Sequence, residues 1–196
     1  MIDVNPRLTD CSELAALARS AQGTVQRLYL HWTAGHYNDV YDDYHVNIGP
    51  GGELYLTCKD FTELKQHTWH RNTGSIGIAL CCAAGACANT GPDTDFGSEP
   101  PTVMQIDTLA KVIAVVTVCL GLEIKLMTVT THCEAALFDG YGPHSGDAQL
   151  RWDLWYLPDQ PLDEALQPGG YVIRGKALWY RDIFLRGRRC KQHGNQ

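Results

Sequence analysis

Apolar residues recur at helical spacing near the start of the chain. Leu14 and Leu17 belong to an apolar stripe that follows Asp10 and Glu13, two acidic residues spaced as they are at helix N-termini. Gly23 follows the stripe and suits the end of a helix. The pattern therefore predicts a first helix between these two signals.

Shorter apolar runs then predict strands. Residues 24–32 form one such run, with His31 near its end. Residues 44–48 and 53–57 alternate between apolar and polar positions and are joined by Gly-Pro-Gly-Gly, which predicts a hairpin. Residues 75–84 are almost continuously apolar, which is typical of a buried central strand.

The second half of the chain returns to helical spacing. Thr102 precedes a long apolar periodic segment that stops at Gly121, so we predict a second helix there. Residues 125–131 predict another strand that runs into His132, and residues 133–149 have the composition of a loop.

This order of elements predicts an α/β fold, with a single domain, a central mixed β-sheet flanked by helices, and a site where strands end. A chain of 196 residues fits one domain. We place the main domain at residues 1–157. Residues 158–196 are a basic C-terminal extension that packs on this domain or trails from it, and Asp182 is the only acid after residue 170.

Charge and composition exclude several classes of protein. The net charge of −6 argues against a nucleic-acid-binding protein. The longest mainly apolar stretch, 112–120, is too short to span a bilayer, so we expect no membrane insertion. The first residues lack the basic and apolar regions of a signal peptide, which predicts synthesis in the cytoplasm.

The eight cysteines include no Cys-x-x-Cys pair, which argues against a structural-zinc or redox protein built on them. We expect most of them to be buried, reduced thiols that act as small hydrophobic residues.

The candidate chemistry lies in the histidines. A hydrolytic zinc site needs three protein ligands and one open position. His31 and His132 each stand at the end of a predicted strand, which favours them as ligands. The other histidines without such placement are expected to be structural: His36, His45, His67, His144 and His193. Pattern alone leaves the third ligand open among four residues: Cys133, Asp139, Asp147 and Asp153.

Five segments between residues 24 and 155 carry a more specific signal. They are Leu28-Tyr-Leu-His-Trp-Thr-Ala34; Tyr44-His45-Val46 with Gly51-Gly52-Glu53-Leu54-Tyr55; Trp69-His70 with Asn72 and Ser75-Ile76-Gly77-Ile78; Thr131-His132 with Glu134; and Arg151-Trp152-Asp153. In sequence and order they resemble the amidase type 2 family of N-acetylmuramoyl-L-alanine amidases, which includes phage lysozyme-amidases and peptidoglycan recognition proteins.

The resemblance implies roles for particular residues. His31, His132 and Asp153 would bind Zn²⁺, with Asp147 as a rival third ligand because the gap after His132 is long. The resemblance also implies catalytic roles for Tyr44 and Arg151. His70 and Asn72 would line the substrate groove.

The implied function is zinc-dependent hydrolysis of the amide bond between N-acetylmuramic acid and L-alanine in bacterial peptidoglycan. Ala79 stands where muropeptide-recycling amidases carry a catalytic glutamate, which favours the tyrosine-based phage type of enzyme. The alternatives are a cytoplasmic recycling amidase and a non-catalytic peptidoglycan-binding module. We expect a monomer that reaches the cell wall after holin-dependent release or delivery by a secretion machine, as an endolysin does.

Overall fold

Eight strands and four helices are present in the part of the chain that the structure describes. The computed structural model covers residues 1–3, 5–88, 94–142, 152–158 and 167–193, with the backbone alone for residues 88 and 187–193. The strands are β1 (Arg7–Thr9), β2 (Arg27–Trp32), β3 (Val46–Ile48), β4 (Leu54–Leu56), β5 (Ser75–Leu80), β6 (Cys87–Ala88), β7 (Thr94–Asp95) and β8 (Val129–Thr131). The helices are α1 (Cys11–Ser20), α2 (Val103–Leu120), α3 (His132–Phe138) and α4 (Gly169–His193).

Six of the strands form one mixed sheet in the order β1-β4-β3-β5-β2-β8. β5 lies at its centre, runs parallel to both β2 and β3, and has all six residues buried. This confirms the predicted central strand, since a strand covered on both faces is apolar throughout. β3 and β4 pair antiparallel as the predicted hairpin. The predicted fold class, a mixed central sheet with flanking helices, is thus confirmed.

The first two helices begin at the predicted residues, and α2 also ends at the predicted glycine, whereas α1 ends at Ser20, before Gly23. The Asp10 side chain accepts hydrogen bonds from the backbone N–H groups of Ser12 and Glu13 at 2.8 and 2.9 Å, which caps α1. Thr102 caps α2 through a reciprocal capping box with Gln105. α2 ends at Gly121, whose φ of +74° is a conformation that glycine adopts without strain.

By length and composition alone, α2 would be able to cross a membrane, although sequence inspection had limited the apolar stretch to residues 112–120. The difference arises because the periodic segment from Val103 onward continues the same helix. Most of α2 is buried inside the fold, as is usual for the core helix of a globular domain. It packs against α1 and α4 and against the sheet.

The loop predicted at 133–149 is wrong in its first part. Residues from His132 to Phe138 form the short helix α3, and His132 is its first residue rather than the last residue of a strand. Thr131 accepts a hydrogen bond from the backbone N–H of Glu134, and the Glu134 side chain accepts one from the backbone N–H of Thr131. This capping box starts the helix, and residues 143–149 lie outside the described residues.

The described part of the C-terminal extension contains a long helix, α4, that packs on α2. Ile173 and Ala177 are fully buried on its inner side, and the Tyr180 hydroxyl donates a 2.6 Å hydrogen bond to Asp107 of α2. A Cβ atom on Gly169 would lie 2.3 Å from the carbonyl oxygen of Leu154, so only glycine allows this close approach. The domain boundary at residue 157 stays a prediction.

Six of the cysteines with described side chains are free thiols: Cys11, Cys58, Cys81, Cys82, Cys119 and Cys133. Five of them are buried: Cys58, Cys81, Cys82, Cys119 and Cys133. Burial raises the pKa of Cys58 and of Cys81 to about 12, and it raises the pKa of Cys82 and Cys133 in the same direction. The described thiols therefore match the predicted role as small hydrophobic residues.

Candidate metal centre

Strand pairing brings the two predicted histidine ligands together. His31 is the fifth residue of β2 and its side chain is buried. On one side β2 pairs with β5, where Ala79 is opposite His31; on the other it pairs with β8, where Thr131 is opposite Leu30. Because the chain turns into α3 directly after Thr131, His132 comes to lie beside His31 although 101 residues separate them.

Asp153 comes from a separate segment that is anchored on both sides. Trp152 is buried and packs edge-to-face against Trp32 of β2, with ring centroids 4.9 Å apart. Leu154 is fully buried and has a φ of +61°, a left-handed conformation that costs energy for a residue with a branched side chain. These two anchors direct the Asp153 carboxylate toward the histidines.

The three side chains form a closed triangle of ligand atoms. His31 Nδ1 lies 3.1 Å from His132 Nδ1 and 3.2 Å from one carboxylate oxygen of Asp153. The other carboxylate oxygen lies 3.1 Å from His132 Nδ1. Asp153 is also buried, while His132 is partly accessible to solvent. Among the described residues this is the group of histidine, cysteine and acidic side chains that could hold a metal ion.

The surroundings favour the protonation states that bind a metal. Burial lowers the pKa of His31 to about 4, against the opposing effect of its contact with Asp153. Burial also acts to raise the pKa of Asp153, but His132 and then His31 outweigh it and hold the pKa well below its usual range. A neutral imidazole and a carboxylate therefore face each other at neutral pH, and these are the forms that coordinate metals.

The spacing of the two histidine nitrogens and the Asp153 carboxylate fits a zinc ion. Tetrahedral zinc with bonds of about 2.0–2.1 Å to nitrogen holds its ligand atoms about 3.3 Å apart. The separations of 3.1 and 3.2 Å are close to that value. Each of these atoms offers a lone pair, so their convergence requires a proton or a cation between them. Two imidazoles and one carboxylate are also a donor set found in catalytic zinc sites.

A chain of hydrogen bonds supports His31 from behind. Thr68 Oγ1 lies 3.3 Å from His31 Nε2 and 2.9 Å from His67 Nδ1. His67 Nε2 lies 3.3 Å from Ser75 Oγ, which donates a 2.8 Å hydrogen bond to the carbonyl oxygen of Asn72. If His31 Nδ1 binds a metal, His31 Nε2 carries the hydrogen, and every donor in this series of hydrogen bonds points away from the metal. The contacts therefore fix the His31 tautomer.

His67 and Thr68 are functional-site residues that the sequence analysis missed. His67 was expected to be structural, yet its ring lies 5.4 Å from that of His31, measured between centroids. Burial, and next the neighbouring His31, lowers the pKa of His67 to about 2, so it is neutral as the hydrogen-bond chain requires. The available signal was their place directly before the Trp69-His70 motif segment, eight and seven residues before Ser75.

Tyr44 lies beside the candidate metal site. Its ring packs against that of His31 with centroids 5.1 Å apart. Burial, and next the negative charge of Asp153, raises the pKa of the phenol well above its usual range. Tyr44 therefore remains protonated at any physiological pH and is a hydrogen-bond donor next to the triangle.

The other predicted site residues are less directly placed. His70 is exposed, has a φ of +56°, and packs edge-on against Trp69. The Asn72 side-chain oxygen accepts a 2.7 Å hydrogen bond from the backbone N–H of Thr68, which closes the turn that carries Thr68. Their roles as groove residues stay predictions. Arg151 lies outside the described residues, and so does Asp147.

Two of the other candidates for the third ligand are poorly suited to bind the metal. Asp139 accepts hydrogen bonds from Arg71 through both carboxylate oxygens. Cys133 is buried and burial raises the pKa of its thiol, which disfavours the thiolate that a metal requires. Of the candidates with described side chains, Asp153 is the one that meets His31 and His132.

His45 shows what a structural histidine looks like in the same neighbourhood. It is fully buried, its Nδ1 accepts a 3.0 Å hydrogen bond from the backbone N–H of Gly77, and its Nε2 donates to the carbonyl oxygen of Glu63 at 2.8 Å. Both ring nitrogens are thus used by the backbone, in agreement with the structural role predicted for it.

Comparison with known proteins identifies the family. The model of the N-acetylmuramoyl-L-alanine amidase family matches residues 20–146, which is well over half of the chain. A comparison with curated proteins gave no match. The matched segment contains His31, Tyr44 and His132 in the elements described above, and Asp153 follows seven residues after its end. This chain belongs to the N-acetylmuramoyl-L-alanine amidase family.

Proposed function

We propose that this protein hydrolyses the amide bond between N-acetylmuramic acid and L-alanine in peptidoglycan with a zinc ion held by His31, His132 and Asp153. The observation that carries the proposal is the triangle of contacts, in which His31 Nδ1, His132 Nδ1 and the two Asp153 carboxylate oxygens approach one another to 3.1–3.2 Å, within a chain of this family. The partly accessible His132 leaves the triangle open toward solvent, as a catalytic site requires and a closed structural zinc site does not.

A bound zinc ion would polarise the substrate carbonyl and lower the pKa of a water molecule from 15.7 to about 7. The protein's own residues then position the reactants. Tyr44, held protonated beside His31, donates a hydrogen bond to the oxygen that gains negative charge as the amide carbon becomes tetrahedral. We assign Arg151 to the same oxygen from the family resemblance, because its guanidinium is a permanent cation with several donors.

The tyrosine-based mechanism suits this chain better than the recycling type. Ala79, the residue opposite His31 on β5, is fully buried and has no acidic side chain. A general acid or base at that position is therefore missing, and Tyr44 supplies the polar group beside the metal site. This supports a wall-lytic, endolysin-like enzyme. For such an enzyme we propose synthesis in the cytoplasm and delivery to the wall by holin-dependent release or a secretion machine.

Asp153→Asn tests the proposed metal site because it keeps the side-chain volume and removes the charge. We expect this variant to lose bound zinc and at least a hundredfold in the release of L-alanine amino termini from purified peptidoglycan. Asp139→Asn is the matched control, since Asp139 pairs with Arg71 outside the triangle. Zinc content by mass spectrometry and amino-terminus release are measured on both variants and on the wild type.

Two results would contradict the proposal. If Asp153→Asn retained zinc and activity, Asp153 would not be the third ligand. If zinc-loaded wild type released no amino termini but sedimented with peptidoglycan, the protein would be a non-catalytic binding module.

Tyr44→Phe separates catalysis from metal binding. Loss of one preorganised donor to an oxyanion costs about 10²–10³ in kcat, and the ring packing against His31 is kept. We therefore expect a fall of that order in kcat, with zinc affinity unchanged. Equal kcat in the variant and the wild type would remove Tyr44 from the mechanism.

A further inference from the structure

The outward side of α4 carries large apolar side chains that no other part of the described fold covers. Its inner side is buried through Ile173 and Ala177. On the opposite side the exposed fractions are 65% for Tyr171, 46% for Leu178, 60% for Trp179 and 48% for Ile183. We call these four residues the α4 outer face.

The four side chains of the α4 outer face share one side of the helix. With successive residues about 100° apart around a helix axis, the four positions span an arc of about 140°. Gly175, Asp182 and Arg186 lie within the same arc and are also exposed. Large apolar side chains grouped on one exposed side of a helix nevertheless often mark a binding surface. Trp179 and Tyr171 also have ring systems with a polar atom, and such side chains favour the boundary between water and lipid.

The charge around the α4 outer face is positive, in contrast to the rest of the molecule. Residues 171–196 contain seven lysines and arginines and one acid, whereas the preceding residues contain nine basic and 21 acidic residues. Lys176 and Arg186 are exposed on the same side of α4 as the apolar residues. Asp182 is exposed on this side as well, so two cations and one acid accompany the apolar residues, on a body that is otherwise acidic.

Three occupants can be compared on this basis. A second copy of the chain would bring two strongly basic segments together, which like-charge repulsion opposes. A hydrophilic anionic polymer would form ion pairs with the lysines and arginines but would make no hydrophobic contacts with the apolar side chains. An anionic phospholipid surface satisfies both, since its headgroups attract lysine and arginine and its acyl boundary accepts tryptophan, leucine and isoleucine.

We propose that the α4 outer face binds the surface of an anionic phospholipid membrane, with α4 lying in the plane of the interface. The association is peripheral, because the inner side of α4 stays packed on α2. It is independent of the amidase activity, so a failure of either proposal leaves the other standing.

The test uses the full-length protein and sedimentation with vesicles. We expect binding to vesicles of phosphatidylethanolamine and phosphatidylglycerol, and at least tenfold weaker binding to vesicles of phosphatidylcholine. The double variant Leu178→Ser/Trp179→Ser should bind the anionic vesicles at least tenfold more weakly. The matched control is Leu8→Ser/Val103→Ser, because Leu8 and Val103 are 66% and 69% exposed elsewhere on the molecule.

A second variant, Lys176→Glu/Arg186→Glu, keeps the test valid if the serine variant is unstable, and it should also lose anionic-vesicle binding. Equal binding of wild type to both kinds of vesicle, or no binding to either, would overturn the proposal. So would a wild type that is dimeric in light scattering and becomes monomeric in Leu178→Ser/Trp179→Ser, since the face would then be a contact between two copies.

Discussion

Thr68 contacts the His31 nitrogen that faces away from the candidate metal site. Its hydroxyl lies between His31 Nε2 and His67 Nδ1, and all three groups are buried. A buried hydroxyl in this position can accept from one ring and donate to the other, which leaves His31 Nδ1 free of hydrogen and ready to bind a cation. The ligand and its support come from different segments, β2 and the turn before β5.

We expect Thr68→Val to weaken zinc binding by about 10–100-fold, the usual effect of removing a group that orients a metal-binding histidine. The substitution keeps the side-chain shape and removes only the hydroxyl. Zinc affinity is measured by competition with a chelator. Thr68→Ser retains the hydroxyl and should bind zinc nearly as tightly as the wild type. If Thr68→Val and the wild type had equal zinc affinities, His31 would need no support from this hydroxyl.

At the scale of elements, α4 stabilises the segments that carry two of the three proposed ligands. The Arg174 guanidinium donates to both carboxylate oxygens of Glu134 at 2.7 and 2.8 Å, and to the carbonyl oxygen of Val129 at 3.0 Å. Glu134 belongs to the capping box that starts α3 at His132. The Gly169 N–H donates to the carbonyl oxygen of Trp155, two residues after Asp153.

Arg174→Met should therefore destabilise the protein and weaken zinc binding together. Removing one partner of a largely buried ion pair costs about 3–5 kcal/mol, because the other charge remains buried. The free energy of unfolding in urea and the zinc affinity are the measurements. Lys176→Met, at an exposed position on the same helix, is the control and should change neither. The added change Glu134→Gln should recover part of the lost stability, and its failure to do so would argue against the ion pair as the cause.

The sequence predicted those elements whose signals are local. The N-terminal caps of α1 and α2, the hairpin and the apolar run of β5 all have a recognisable composition within ten or so residues. α3 was missed because its Thr131–Glu134 capping box lies between a strand and a glycine-containing segment, and the segment as a whole has the composition of a loop.

The grouping of the candidate ligands was predicted, but their support was not. Strand-end placement favoured His31 and His132, the family resemblance added Asp153, and the structure brings the three side chains together. Thr68 and His67 could not be found because their role depends on the packing of one turn against β2, a contact between residues 37 positions apart. The contribution of α4 was missed for the same reason, since Arg174 meets Glu134 across 40 residues.

For the molecule as a whole, buried neutral histidines contribute to the dependence of stability on pH. Burial lowers the pKa of His45 to about 4 and that of His67 to about 2, below the usual value of 6.5. The unfolded chain therefore binds more protons than the folded chain below pH 6.5. The sign follows: stability is complete above about pH 6.5 and is lost progressively as pH falls from there toward 4.

We expect the free energy of unfolding of the metal-free protein to fall by about 1.4 kcal/mol per pH unit for each such histidine between pH 6 and 4.5. Urea unfolding at several pH values measures this slope. His45→Gln keeps hydrogen-bonding capacity and removes the titrating group, so its slope should be smaller by about one proton. If the slope did not change, His45 would have the same pKa in the folded and unfolded states.

The burial of the thiols affects how readily the protein is oxidised. The thiolate is the form that oxidants attack, and a thiol with a pKa near 12 is ionised in roughly one molecule in ten thousand at pH 8. Cys58 and Cys81 are in this state, and burial moves Cys82 and Cys133 the same way. The proposed route leads from a reducing cytoplasm to an oxidising cell wall. These four cysteines should pass between the two compartments chemically unchanged, so the fold around them does not depend on the redox state of its surroundings.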